Sequence, residues 1–459
     1  MAGIGFALRR LAARDSLGTG LRSQLHAITV TSGPWLLTVL ALGIVEVSAR
    51  EPLGQETYRV FSSVIVYNFA FSLVLAAPIA MVVARRLADM LFARDVSEAT
   101  GMLIGSLAAV FAIQTAIGLP FYGFIVDLTL AERLLALVCF QLVGGIWLVS
   151  AFLSALKSYG GITAAFAFGM GIAAALSVWL VGEHGSTGLL AGFTIGMAVL
   201  LFSLIARVLA EYPAPAIRPF AFLPAMHGYW ELALAGLLFA LGIWVDKWIM
   251  WFAPGHLVVA GMMPTHPTYD SGMFLACLTM APGAAMFLII IETRFFEAYL
   301  RYHRAIATHA TAKEIIRHHG DILKILGAGF RKVAVLQAVV CYLAILAAPG
   351  LIGMARGGAE LVPTFRFGAL GALCHGLLIS VVAVLAYFDL RRDLVQIAAV
   401  FLALNGGLTW AALSLGVGYA GYGYFLAALL SLAFAYVIAV RRLLHLPYVT
   451  FIANNRGLR

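Results

Sequence analysis

The chain has 459 residues, 63% of them hydrophobic and only 11% charged, with a mean hydropathy of +0.98. A soluble fold of this size cannot hide that much apolar surface, so the composition implies an all-α polytopic membrane protein. The net charge of +9 reads as a topology signal and says little about cargo. With the N-terminus inside, all 30 Lys and Arg except Arg50, Arg59, Arg133, Arg356, Arg366 and Lys247 fall on the cytoplasmic side or its helix ends, giving N-in and C-in.

Residues 1–25 carry Arg9, Arg10, Arg14 and Arg22 without a cleavable signal pattern, and read as a short amphipathic cytoplasmic segment. About twelve spans are expected after it, near 26–49, 58–84, 101–126, 133–156, 161–182, 188–210, 231–253, 271–293, 333–355, 365–388, 394–416 and 421–440. The first span is entered through Thr31-Ser-Gly-Pro-Trp35, where proline marks a kink or a late helix start. Glu46 lies toward its outer end, either interfacial or lining a path. Asn68 in the second span either lines a sugar path or hydrogen-bonds between helices. The Gly144-Gly145 and Gly169-x-Gly171 pairs in the following spans are explained by close helix packing.

Between Tyr212 and Pro224 the chain reads PAPAIRPFAFLP after the tyrosine, four prolines that do not suit a helix, so 211–230 is a semi-rigid linker. It divides an N-lobe, 26–210, from a C-lobe, 231–440, with a basic tail at 441–459. A short echo links the halves: Ala41-Leu-Gly-Ile-Val-Glu46 resembles Ala240-Leu-Gly-Ile-Trp-Val-Asp246, and Ala77-Pro78 matches Ala281-Pro282.

The seventh span carries Asp246 and Lys247, well away from either end of its apolar run. A charge at that depth costs roughly 2.5–3.5 kcal/mol on insertion scales, so it faces protein or a water-filled cavity. Successive helical residues point about 100° apart, so each of the two is expected to find a partner elsewhere, Glu46 first among them. Either they hold helices together or at least one faces a transport pathway, for which Glu46, Asn68, Asp246, Lys247 and Glu292 are the candidates. The eighth span ends in Ile291-Glu-Thr-Arg-Phe-Phe-Glu-Ala-Tyr299 and leads into interfacial helices. Arg294, Arg301, Arg304 and Arg317 there are candidates for docking a cytoplasmic partner. The external segment from Pro254 to Asp270 could act as a lid. His375, deep in the tenth span, is either a packed histidine or a proton relay.

No lysine follows a glycine, which excludes a P-loop, and no non-membrane stretch is long enough for an independent catalytic domain. The chain is therefore expected not to be an enzyme and to need no cofactor. Cys139, Cys277, Cys341 and Cys374 lack metal-like spacing.

Met1-Ala-Gly-Ile-Gly-Phe-x-Leu-Arg, Ser32-Gly-Pro-Trp35, Asp246-Lys247-Trp248 and Ile291-Glu-Thr-Arg-Phe-Phe296 together resemble the PelG family, over the whole chain. That resemblance implies the fold of the multidrug/oligosaccharidyl-lipid/polysaccharide flippase superfamily: two six-helix lobes around a central cavity. It implies transport of a partly cationic N-acetylhexosamine exopolysaccharide (Pel) from cytoplasm to periplasm for biofilm matrix, across the bacterial inner membrane. The implied partners are the lipid bilayer, a cytoplasmic glycosyltransferase, a membrane-bound cyclic-di-GMP receptor and a helical-repeat subunit; no nucleic acid is expected. It supplies no residue roles. A small-molecule or lipid antiporter of the same fold, and a non-transporting scaffold for a polysaccharide synthase, remain as rival readings.

Overall fold

The computed structural model describes residues 17–155, 159–354, 358–448 and 451. Most of the expected amphipathic N-terminus and of the basic tail lies outside them. The helices are those the apolar runs demand, and glycine sets several of their breaks. Leu17–Ala93 is interrupted at Gly54, whose φ of 76° a side chain would strain, giving α1 (residues 17–53) and α2 (residues 55–93). Pro34 sits inside α1, so the late start is not observed: the helix is already running at Leu17. The Thr38 hydroxyl donates to the Pro34 carbonyl at 2.9 Å, at the helical spacing of four.

The next helices are α3 (Ala99–Pro120), closed by a π-helical turn at Phe121–Ile125, and α4 (Leu130–Ala155). Tyr159–Glu211 breaks at Gly185, φ 56°, into α5 (residues 159–184) and α6 (residues 186–211). Then come a short α7 (Phe222–Gly228), α8 (Trp230–Met250), and an antiparallel hairpin of β1 (Leu257–Val259) and β2 (Met263–Thr265). After it stand α9 (Pro267–Leu278), α10 (Ala281–Ile290) with a π-helical turn at Ile291–Phe295, and α11 (Phe296–Ala307). Four long helices complete the order: α12 (Ala312–Met354), α13 (Leu361–Tyr387), α14 (Arg391–Ser414) and α15 (Ala420–Leu444).

Ten helical segments among the described residues are long and apolar enough to cross a membrane. One of them, Gly160–Glu211, contains the Gly185 break and supplies two passes, and Leu36–Ala49 is a shorter apolar stretch. The count therefore agrees with the expected twelve.

Packing divides the chain into Gly33–Pro267 and Thr268–Arg459, with the residues up to Ser32 grouped with the latter. The boundary by packing thus follows the hairpin, and α8 packs with the helices that precede it. In the first unit, α5 and α6 interlock through small residues. A methyl group at Gly192 would fall 2.3 Å from the Ser177 amide nitrogen, and one at Gly196 2.4 Å from the Ala173 methyl. Gly169 abuts Leu200 and Gly145 abuts Leu201, whereas Gly171 faces open space, so only part of the expected glycine pattern is packing.

The linker corrects another expectation. Pro224 lies in the first turn of α7, where its missing N–H costs nothing, so the segment does include a helix. Its extended part is pressed onto α3: methyl groups at Gly101 and Gly105 would fall 1.9 Å from the Ile217 carbonyl oxygen and 1.7 Å from that of Pro219. The Thr100 hydroxyl donates to the Tyr212 carbonyl at 2.8 Å, and burial pushes the Tyr212 phenol up to about 12, leaving it neutral.

In the second unit, α11 is amphipathic. It buries Ala298, Tyr302 and Ala305 against Ile315 and Ile322 of α12 and against Leu446. The interfacial helices expected after the eighth span are therefore docked on their own bundle.

Candidate functional site in the first unit

The apolar run around Asp246 ends sooner than its composition indicates. Trp251 begins a turn, so α8 stops at Met250 and Lys247 stands in its last turn. The pair is thus near a helix C-terminus, where the orphan carbonyls favour a cation. Leu232, Ala235, Gly236, Ala240, Gly242, Asp246 and Met250 form the buried face of α8. A methyl group at Gly236 would lie 2.8 Å from Met81 Cγ and 3.0 Å from the Ala77 carbonyl oxygen, which fixes how closely α8 lies on α2.

The two charges meet each other. Lys247 Nζ lies 3.1 and 3.0 Å from the two Asp246 carboxylate oxygens and donates to the Ile243 carbonyl at 3.0 Å. The expectation that neighbouring residues diverge too far to pair was wrong. It considered only the Cβ directions: helical side chains lean toward the N-terminus, and the four-carbon lysine stem folds back over the preceding turn. Asp246 is 0% exposed and the Lys247 side chain 13%. One partner is fully desolvated and the other keeps an opening.

Aromatic rings hold this end of the unit. Trp248 stacks on Phe71 with centroids 5.2 Å apart, and Trp251 on Tyr67 at 4.6 Å, with Tyr67 also stacked against Phe121 of the first π-helical turn. Tyr67 and Phe71 are four apart on α2, as the lock onto α8 requires. The Tyr67 hydroxyl donates to the Pro264 carbonyl at 2.8 Å, and the Asp127 amide to the Ala260 carbonyl at 3.0 Å, so the hairpin is tied to α2 and to the α3–α4 connection. The indole N–H groups of Trp244 and Trp248 have no hydrogen-bond partner among the described residues.

Asn68 is brought to the same end by its neighbour Tyr67, and its hydrogen-bonding groups are engaged between helices. Its amide donates to the Ala136 carbonyl of α4 at 3.1 Å, and it accepts from the Tyr122 hydroxyl at 2.7 Å, all buried. Glu46 is half-buried on α1. Glu292 belongs to the second unit: it lies in the second π-helical turn, 8% exposed, and accepts from the Tyr387 hydroxyl at 3.4 Å.

Arg294, Arg301, Arg304 and Arg317 are all exposed; Arg301 lies 3.9 Å from Glu297 and Arg317 3.8 Å from Glu314. His375 is 5% exposed, its Nδ1 2.8 Å from the Tyr424 hydroxyl. No group of His, Cys, Asp and Glu able to hold a metal occurs among the described residues.

Sequence reasoning passed over Tyr67, Phe71 and Tyr122, and gave Trp251 no role. The signal was present as aromatics four apart on 67–71 and at 244, 248 and 251. It also missed Glu132, whose capping box with Thr129 starts α4 and whose other carboxylate oxygen accepts from Ser186 at the start of α6.

The family PelG, described as exopolysaccharide exporter (EPS-E), matches residues 1–451. No curated protein sequence matches the chain significantly. Among solved structures, a MATE protein in the straight conformation is similar at 13% identity with a TM-score of 0.65, covering 97% of each chain. A multidrug resistance MATE family transporter of the MOP superfamily is similar in its inward-facing conformation at 14% identity and TM-score 0.62, covering 92% of this chain and 99% of that one. An outward-facing one is similar at 13% and 0.65, covering 92% and 96%.

Proposed function

From the chain's membership of the PelG family, and its MATE-like fold of membrane-spanning helices, we propose that this membrane transporter exports an exopolysaccharide, a partly cationic N-acetylhexosamine polymer (Pel), from cytoplasm to periplasm for biofilm matrix. The observation that carries the reading is the exporter-family match over residues 1–451 on a twelve-span fold. In this reading the chain lies in the bacterial inner membrane, N-in and C-in, its two sequence halves of six spans linked by 211–230. It performs no covalent chemistry, and its partners are a glycosyltransferase, a cyclic-di-GMP receptor and a helical-repeat subunit. Of the four arginines expected to dock a cytoplasmic partner, Arg301, Arg304 and Arg317 keep that role here, and Arg294 lines a cavity of the second unit.

The pathway residues in this proposal are Asp246 and Lys247, with Glu46 and Glu292 as further acidic groups along the route and Asn68 bracing its wall. What supports α8 is its chemistry. Only the Lys247 ammonium keeps an opening here; the Asp246 carboxylate and the indole N–H groups of Trp244 and Trp248 are buried, so a hydroxyl-rich polymer would meet both hydrogen-bonding polarities only once this end of α8 opens. A cationic sugar reaching Asp246 would compete with Lys247 for the carboxylate.

The test is efflux from proteoliposomes holding the purified chain and fluorescent hexosamine oligomers, partly deacetylated or fully acetylated. Chain-dependent efflux favouring the deacetylated oligomer is expected. Oligomer retained equally with and without the chain, while a small cationic dye leaves, would replace polymer export with a small-molecule antiporter; no flux of any kind would favour a scaffold.

A further inference from the structure

The second unit holds a cavity of about 520 Å³ between the end of α10, the π-helical turn that follows it, and α12. Its floor is aliphatic, formed by Met286, Ile289, Ile325 and Ala328, and its charged lining is Arg294, Lys324, Lys332 and Glu297. Glu297 lies 3.9 Å from Arg301. Arg294, Lys324 and Lys332 make no hydrogen bond or ion pair with any described residue, and all three are exposed. Side chains on α12 lean toward its N-terminus, so both lysines lean toward the end of the cavity where Arg294 stands.

Beyond the contact of Ile290 with Gly329 lies a second cavity of about 370 Å³, lined by Phe287, Leu326, Phe330, Val384 and Tyr436 among others, with Arg331 and Ser380 as its polar members. Both cavities share Ile290 and Gly329, so a thin wall separates them. A methyl group at Gly329 would fall 2.9 Å from Ile290 Cγ2, so the wall is one side chain thick at that point. Three cations without a partner among the described residues therefore border an aliphatic slot in the stretch Pro267–Ala307, long and apolar enough to cross a membrane, where α10 gives way to the amphipathic α11.

We propose that this slot is a binding site for an anionic phospholipid, its phosphodiester held by Arg294, Lys324 and Lys332 and its acyl chain lying along Met286, Ile289, Ile325 and Ala328. The chemistry selects a lipid over a free anion or an acidic protein. A phosphate alone would leave the aliphatic floor uncovered, and an acidic protein surface would bring polar groups against it. A cationic pocket between spanning helices, at the level of the headgroups, is where anionic lipids are concentrated. The site involves neither Asp246 nor Lys247, and its occupancy is read without any export assay, so it stands or falls separately from the export reading.

The experiment titrates the purified full chain with phosphatidylglycerol, and in parallel with phosphatidylcholine, inorganic phosphate and poly-glutamate, reading bound lipid by native mass spectrometry. Saturable phosphatidylglycerol binding is expected, at least tenfold tighter than phosphatidylcholine. Each cation is worth about fivefold in affinity, so Arg294→Gln/Lys324→Gln/Lys332→Gln should weaken it by tenfold or more. Arg304→Gln/Arg317→Gln, outside the slot, should not. Ala328→Phe, which keeps every charge and fills the floor, should also weaken it, and provides the reading if the triple variant does not fold. Unchanged phosphatidylglycerol binding in the triple variant, or in Ala328→Phe, overturns the proposal. So does phosphatidylcholine binding equally well, full displacement of the lipid by equimolar inorganic phosphate, or poly-glutamate binding where phosphatidylglycerol does not.

Discussion

At the scale of single residues, the Asp246–Lys247 pair shows how a side chain can undo a backbone argument. Removing one partner of a buried pair costs up to roughly 3–5 kcal/mol, because the other charge is left uncompensated. With Lys247 partly open and near a helix end, the cost here should be at the low end for Asp246→Asn and higher for Lys247→Met, which takes the adjacent ammonium from a carboxylate that is 0% exposed. Thermal unfolding in detergent should therefore rank Lys247→Met below Asp246→Asn, with Asp246→Asn/Lys247→Met close to the unaltered chain. If the double variant is stable but exports no polymer, the pair serves transport; full export by the double variant leaves it only a packing role. Asp246→Lys, which sets two cations side by side, is expected to abolish export, and its protein level must be read alongside. Asn68 belongs to the same scale. Tyr122→Phe should cost about 1 kcal/mol and Asn68→Leu more, because it also leaves the Ala136 carbonyl without its donor; since both remove the same 2.7 Å bond, the two losses should fall short of adding. Additive losses in a double-mutant cycle would show that the bond contributes nothing of its own.

At the scale of elements, the linker is the informative case. Its prolines were legible, and so was its role as a divider. What the sequence hid was that Gly101 and Gly105 of α3 leave room for the backbone of residues 217–219. These two positions read as ordinary small residues in a span until the partner strand of chain is in place. Enlarging them should lift the linker off α3 at a cost of about 1–3 kcal/mol. Gly105→Val is thus expected to speed chymotryptic cleavage after Phe220, an exposed residue of the same segment, by several-fold. Unchanged cleavage would mean the contact is not what orders the linker. The hairpin is a second such element. Its residues looked like a mobile cover, yet Met263 is fully buried and the tie from Tyr67 to Pro264 anchors it.

At the scale of the whole molecule, the spans were readable because lipid forces every backbone polar group to be satisfied within its own helix, leaving length and hydropathy as sufficient markers. The grouping of those spans by packing was not readable. Connectivity suggested a boundary at 211–230, whereas packing places it after Pro267, because α8 closes onto α2 through Gly236, Trp248 and Trp251. Widening that seam acts on the first unit: Gly236→Leu, driven into Met81 and the Ala77 carbonyl, is expected to lower thermal stability and export together. A variant that loses export at full stability would instead place the seam in the transport cycle.

The sequence by itself determined that this is a multi-pass membrane protein with twelve apolar passes, and it carried the motifs of an exporter family. These are properties of local runs and short strings, which need no partner to be read. The tertiary structure decided that Asp246 and Lys247 pair with each other and that Asn68 is engaged between helices. It also decided that three unpaired cations from two separate helices border one aliphatic slot. Such facts depend on which side chains distant segments bring within a few ångströms, and no spacing along the chain encodes that distance.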